Sequence, residues 1–224
     1  MTDRLVKICR MPKIAASERD AYYETRRTEL AAVALRLWSE QGFDQTSVAA
    51  IAKQAGISKG TFYLYFESKD ALLLDVFRRN SLVPDIERLM DDLRNTSLEE
   101  AVQRFVRDAW RHLSDNRELV LIVVRELPTH LEQARAMMER VMVPANALLA
   151  TYLEERIDAD RAKQLSLIIS ARALLGMVIF VFLTQEILGA GRFLPVSEED
   201  VTSTIAELFL HGVMTASPEE GLLQ

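Results

Sequence analysis

Between Ser58 and Phe66 the chain reads Ser-Lys-Gly-Thr-Phe-Tyr-Leu-Tyr-Phe. Wound as a helix, this stretch sorts its side chains into two sets. Phe62 and Phe66 fall one turn apart and form an inward apolar face. Lys59, Thr61, Tyr63, Leu64 and Tyr65 are left for the outside: a cation, hydroxyls, aromatic rings and one aliphatic group. That inventory suits a polyanion that also displays base edges. The cation and hydroxyls can hold phosphate oxygens. Leu64 has no hydrogen bond to offer, so it can read a base only through an apolar contact such as a thymine methyl. Gly60 weakens the helix start. Its missing side chain would let a phosphate approach the backbone, where free N–H groups favour an anion.

The neighbouring residues supply the elements that position this face. Thr46 or Ser47 can cap a preceding helix, and Val48, Ile51, Ala52 and Ala55 recur along it at helical spacing. Gly56 stands where a helix end wants positive φ, Ile57 can fold back to close the turn, and Ser58 caps the next helix. In such a pair the first helix crosses the phosphate backbone and the second enters the major groove. Upstream, Leu30, Ala31, Ala34, Leu35, Leu37 and Trp38 form the stripe of a helix expected from Tyr22 to Gln41, which closes a three-helix bundle with Trp38 in its core. Downstream, Ser68 opens a fourth helix. Lys69 in its first turn opposes the helix dipole, and it is read as a phosphate contact or, alternatively, as a merely solvated lysine. Pro84 must kink or break this helix, and the domain boundary is placed there.

From Leu30 to Leu74 the chain resembles the DNA-binding domain of the TetR family of bacterial transcriptional regulators. The resemblance rests on an ordered set: A-x-x-L before Gly42-Phe43, Thr46-Ser47, Ile51-Ala52, Ala55-Gly56, Thr61-Phe62-Tyr63, Phe66 and Ser68-Lys69. It covers about a fifth of the chain. It implies that Ser47, Lys59, Gly60, Thr61, Tyr63, Leu64, Tyr65 and Lys69 touch DNA, mostly at phosphates. With Thr46 and the cap Ser58 these residues make the candidate DNA-binding set. Ser47, Lys59, Tyr63 and Lys69 are expected to supply affinity; Thr61, Leu64 and Tyr65 are expected to reach bases. The family often places an aromatic residue or His where this chain has Leu64.

The formal charge of −6 is uneven. Residues 1–70 hold 11 Lys+Arg against 9 Asp+Glu, net +2, and residues 71–224 hold 16 against 24, net −8, so the amino-terminal part is the half suited to nucleic acid. Residues 1–21 form an extension with Arg4, Lys7, Arg10, Lys13 and Arg19, read either as a solvated tail or as an arm along the DNA. The single Cys9 excludes an intrachain disulfide and suits a reducing cytoplasm. No signal peptide is evident, and the run Ala173–Leu183 is too short to cross a bilayer, so it is read as a buried helix and no membrane partner is expected.

Residues 22–84 are thus expected as the DNA-binding domain and 85–224 as a second helical domain, giving an all-α chain. In the second domain Thr96 with Glu99, Thr129 with Glu132, and Ser197 with Asp200 read as helix-opening caps. Helices follow over 98–113, 119–126, 130–157 and 162–188, with a last one over about 198–215. Pro144 lies inside the 130–157 helix, just after Met137, Met138 and Met142, where a kink beside deformable side chains could hold a ligand. Phe105, Trp110, Met137, Met138, Met142, Arg172 and Met177 are the candidate pocket. Its lining implies a hydrophobic effector; Arg172 is there either to pair with a carboxylate or to neutralise a ligand. The last two helices are apolar beyond the needs of one small domain, which points to a symmetric homodimer with a four-helix interface. The resemblance implies the same pairing, and release of a repressor from a palindromic operator by the effector. His112, His130 and His211 lack metal-ligand spacing, and no glycine-rich phosphate loop or marked nucleophile appears, so neither an enzyme nor a cofactor is expected. The alternative is a protein-interaction module whose helix-turn-helix is only structural.

Overall fold

The computed structural model describes residues 16–83, 86–87, 96–126, 128–158 and 165–214. Every regular element among the described residues is helical, and the chain divides into two compact units, residues 1–73 and 74–224. The expected boundary at Pro84, the Cys9 extension, the start of the 162–188 helix and the 218–224 tail lie outside the described residues.

The first unit holds α1 (Ala16–Gln41), α2 (Val48–Gln54) and α3 (Lys59–Phe62), and α4 (Lys69–Arg79) begins in it. The apolar stripe of α1 meets α2 and α3 over a core of Leu30, Ala34, Trp38, Phe43, Ile51, Phe62, Phe66 and Leu72, each at most 3 % exposed. The Trp38 and Phe43 rings lie 5.3 Å apart. Burying side chains of this size stabilises by roughly 1.5–3 kcal/mol each, and together they fix the angle at which α3 leaves the bundle.

Two predicted boundaries differ. The first helix begins at Ala16 rather than Tyr22, because polar residues extend it beyond the buried stripe. The expected helix Ser58–Phe66 is regular only over Lys59–Phe62. Gly60 and the aromatic run have little helix propensity, and the chain tightens as Tyr65 N–H bonds to Phe62 O (2.9 Å). Ser68 then caps α4, accepting from Ala71 N–H at 3.0 Å.

The second unit contains α5 (Leu98–Asp115), α6 (Arg117–Glu126), α7 (Leu131–Met137), α8 (Val143–Glu154), α9 (Leu167–Phe182) and α10 (Glu198–Met214). Its core packs α9 chiefly on α8 and α10 on α5. Val102, Phe105, Val106, Leu149, Leu153, Leu174, Val178, Phe182, Ile205 and Phe209 meet there. Trp110 joins them, its ring edge-on to Phe182 at 5.2 Å.

Caps and irregular turns refine the reading of this unit. Ser97, not Thr96, caps α5, accepting from Glu100 N–H at 3.2 Å. Thr129 does not cap α7: its hydroxyl donates to Glu126 O (2.9 Å), closing α6, and His130 takes the N-cap position with its Nδ1 turned to Glu126 O (2.8 Å) rather than to the helix. Ser197 caps α10 as expected, through Asp200 N–H at 3.0 Å. Helical winding continues from Leu131 to Glu154, and the chain accommodates Pro144 by changing its pitch just before it. Residues Met138–Met142 wind as one wide π turn, and the proline sits at the start of α8, where its lacking N–H does least damage.

The helix expected to be buried is two-faced. With the wide turn Leu183–Ile187 it runs 21 residues, long and apolar enough by composition to cross a membrane. One face, Ala171, Leu174, Leu175, Val178 and Phe182, is core. The other exposes Ile169, Arg172, Ala173, Gly176 and Phe180.

Candidate nucleic-acid interface

The turn that presents α3 is held by backbone geometry. Gly56 adopts φ +68°, and Ile57 N–H reaches back to Ala52 O (2.9 Å) while Gly56 N–H bonds to Lys53 O (3.2 Å). This reciprocal pair terminates α2 and requires the left-handed residue between. At either side stand the caps: Ser47 accepts from Ala50 N–H (3.1 Å), and Ser58 from Thr61 N–H (3.0 Å).

Around this frame the candidate residues take distinct places. Ser47, Ser58, Lys59, Gly60, Tyr63 and Leu64 are exposed, with Leu64 at 68 %. Thr61, Tyr65 and Lys69 are half-buried. Thr61 shares a 2.8 Å hydroxyl–hydroxyl bond with Ser58, so its side chain lies along the helix start. Thr46 is fully buried, and its hydroxyl donates to Gly42 O at 2.7 Å. It therefore braces the loop before α2 from beneath and offers no side chain to the surface, contrary to its place in the expected set. Lys69 Nζ donates to Phe43 O (2.8 Å) and Thr46 O (3.2 Å) and lies 4.1 Å from the centre of the Phe43 ring. Two of its three N–H groups thus tie α4 to the same loop, and the side chain stays half-buried.

A Cβ built on Gly60 would meet nothing nearer than Ser58 Oγ at 3.7 Å. The fold of the chain itself has room for a side chain here.

The sequence reading missed the residues that hold the exposed turn. Tyr23 on α1 donates its hydroxyl to Leu64 O (2.9 Å), and its ring lies 5.0 Å from that of Tyr65. Arg27, one turn on, donates to Tyr65 O (3.2 Å) and stacks 4.4 Å from the Phe66 ring centre. The last carbonyls after a helix have no partner within it, and α1 provides one for each of two. The available signal was a polar tyrosine–arginine pair at i, i+4, ahead of the apolar stripe of α1.

The candidate pocket residues do not form one set. Phe105 and Trp110 are core; Met137, Met142 and Met177 are half-buried; Met138 and Arg172 are exposed. Arg172 stands on the outer face of α9, so the expectation that it lies within a buried helix is corrected.

Residues 30–76 match the family model described as bacterial regulatory proteins, tetR family. Over 145 residues the chain is 28 % identical to an uncharacterized HTH-type transcriptional regulator, YerO, of Bacillus subtilis, covering 60 % of this chain and about half (50 %) of that relative. It is 26 % identical over 212 residues to the HTH-type transcriptional regulator EthR of Mycolicibacterium smegmatis, covering 87 % and 89 % of the two chains. Its fold is similar to that of the solved transcriptional regulator FadR from Bacillus subtilis in complex with stearoyl-CoA, with TM-score 0.66, 21 % identity, and 83 % and 98 % of the two chains covered. These relatives are transcriptional regulators and not enzymes. The helix-turn-helix unit of this chain thus belongs with the bacterial regulatory proteins of the tetR family, and its helical remainder shares the fold of a solved transcriptional regulator.

Proposed function

We propose that the chain is a sequence-specific, ligand-responsive repressor that binds a palindromic operator as a homodimer in the bacterial cytoplasm. The observation that carries this reading is the exposed ridge Lys59–Gly60–Tyr63–Leu64, where a glycine without internal steric need stands beside a cation and large side chains turned to solvent. Lys59, Tyr63, Ser47 and the free N–H of Lys69 hold phosphates; Leu64, with Tyr65 and Thr61 behind it, faces the bases. Thr46 acts through the loop it braces. Each head reads one half-site, and the half-sites stand about 34–36 Å apart or a multiple of that.

The dimer surface is supplied by α9 and α10. Ile169, Ala173, Gly176 and Phe180 follow one exposed stripe, with Phe180 67 % exposed, and Leu208 on α10 is 62 % exposed. An exposed apolar stripe on α9 beside an exposed leucine on the adjacent α10 is a surface that a four-helix interface buries. Gly176 meets nothing within 4 Å if given a Cβ, so it too leaves space for a neighbour rather than for its own fold.

The effector is a hydrophobic small molecule taken up in the helical unit, where the buried Phe105 and Trp110 and the half-buried Met137, Met142 and Met177 are the candidates left once the exposed Met138 and Arg172 are set aside. The FadR neighbour, solved with stearoyl-CoA, supports an acyl-like class. Effector and operator bind different states and weaken each other reciprocally. The test is electrophoretic and calorimetric: a selected operator duplex should bind two chains, and an effector that lowers operator affinity should itself bind the operator complex more weakly by the same factor. An effector that loosens DNA without that reciprocity would refute the scheme.

A further inference from the structure

The inner face of α8 carries a polar atom with nothing to bind. Asn146 is 6 % exposed on the face shared with Leu149 and Leu153. Its Nδ2 donates to Met142 O at 2.6 Å, but its Oδ1 has no hydrogen-bond partner. An amide oxygen has two lone pairs, and leaving it bare in a core costs about 1–3 kcal/mol. An apolar residue of the same size would spare that cost, so its presence requires an explanation.

A second observation lies beside it. Asn146 follows the wide π turn Met138–Met142, one turn after Met142, whose carbonyl it binds. Such turns interrupt helices frequently at functional sites. Met137 and Met142, half-buried and deformable, flank this stretch. Tyr152, further along α8, is likewise buried with a partnerless hydroxyl. Burial pushes that hydroxyl above its ordinary value of 10.0, outweighing the opposing pull of Arg156, so it stays a neutral group throughout the physiological range. Tyr152 lies about 9 Å further along the axis and towards the opposite edge of the buried face, away from the π turn.

We infer that Asn146 Oδ1 is the polar contact of the effector site and accepts a hydrogen bond from an N–H or O–H carried by an otherwise apolar, chain-like effector. The inference rests on the reading of the helical unit as an effector site and narrows its chemistry. Amides and alcohols satisfy the oxygen. A neutral ester has no donor and leaves it bare. A carboxylate is acceptor-only and charged, so it would face a lone pair across an apolar core.

The test uses three ten-carbon probes on the full-length protein: decanamide, methyl decanoate and decanoate, titrated calorimetrically into the natural chain, Asn146→Leu and Tyr152→Phe. Decanamide should bind the natural chain about three- to tenfold tighter than the ester, the range expected for one net hydrogen bond. Asn146→Leu should erase that preference while the ester keeps its affinity, and the ligand-free variant should melt no lower than the natural chain. Tyr152→Phe should keep the preference. Equal binding of amide and ester by the natural chain, or a preference that survives Asn146→Leu, overturns the assignment. A lower melting point for ligand-free Asn146→Leu together with equal probe affinities identifies a buried water as the occupant and also overturns it. If none of the three probes binds, the apolar-effector reading itself falls and takes this assignment with it; if all bind alike, only the assignment falls.

Discussion

Replacing Lys69 by Met keeps the unbranched apolar stem of the side chain and removes its charged nitrogen, where two roles converge. The first role is internal. Nζ donates to Phe43 O at 2.8 Å and Thr46 O at 3.2 Å, and it sits 4.1 Å from the Phe43 ring centre. Hydrogen bonds from a charged donor contribute about 1.5–3 kcal/mol each and an exposed cation–π contact about 0.5–1 kcal/mol. The site is half-buried and water can replace part of these contacts, so the loss should be about 2–3 kcal/mol. That corresponds to a fall of about 5–10 °C in the unfolding midpoint. The second role is external: the remaining N–H meets a phosphate. Each phosphate contact contributes about 0.9 to the slope of log affinity against log salt, so two Lys69 side chains in a dimer should lower the slope by about 2. Calorimetric melting and fluorescence anisotropy across a salt series read the two effects separately. A lost midpoint with an unchanged slope would refute phosphate contact and leave Lys69 as a staple of the loop. An unchanged midpoint would refute the internal bonds.

Three further perturbations follow. Gly60→Ala should leave the head as stable or up to about 1 kcal/mol more stable, since a helical alanine is preferred and its Cβ has room, yet it should weaken operator binding; undiminished binding in a titration would show that no phosphate approaches there. Tyr23→Phe removes only the hydroxyl that holds Leu64 O; it should lower the ratio of operator to random-DNA affinity by about three- to tenfold without changing the salt slope, and a parallel loss on both DNAs would contradict a positioning role. Phe180→Asp introduces a charge on the exposed stripe of α9 and should shift the protein from dimer to monomer in sedimentation; a persistent dimer would place the interface elsewhere.

The head was legible because its signals are local. Gly56, Ser47 and Ser58 each act within a few residues, and the structure gives each the turn or cap its type demands. What escaped was contact at long sequence separation. Tyr23 meets Leu64 and Arg27 meets Tyr65 across some forty residues, and no periodicity encodes such a pairing. Thr46 illustrates the converse. Its type allowed a surface hydroxyl, but burial beneath the loop turned that hydroxyl to Gly42 O. In the helical unit the apolar stripes predicted the helices. They did not say which stripe meets the chain's own core and which is left outside, as Arg172 and Phe180 on α9 show. Pro144 announced an irregularity, but that the chain would take it up as a π turn before the proline depends on how α8 packs.

Sequence-specific binding through the ridge of α3 is the claim on which the rest depends. It is tested most directly by selecting genomic fragments with the purified protein at moderate salt and sequencing what is retained, beside Lys59→Ala/Tyr63→Ala. One enriched palindrome is expected, with half-sites about 34–36 Å apart or a multiple, and it should be lost in the double variant. Retention of fragments without a shared motif, or the same palindrome retained equally by the variant, would contradict it.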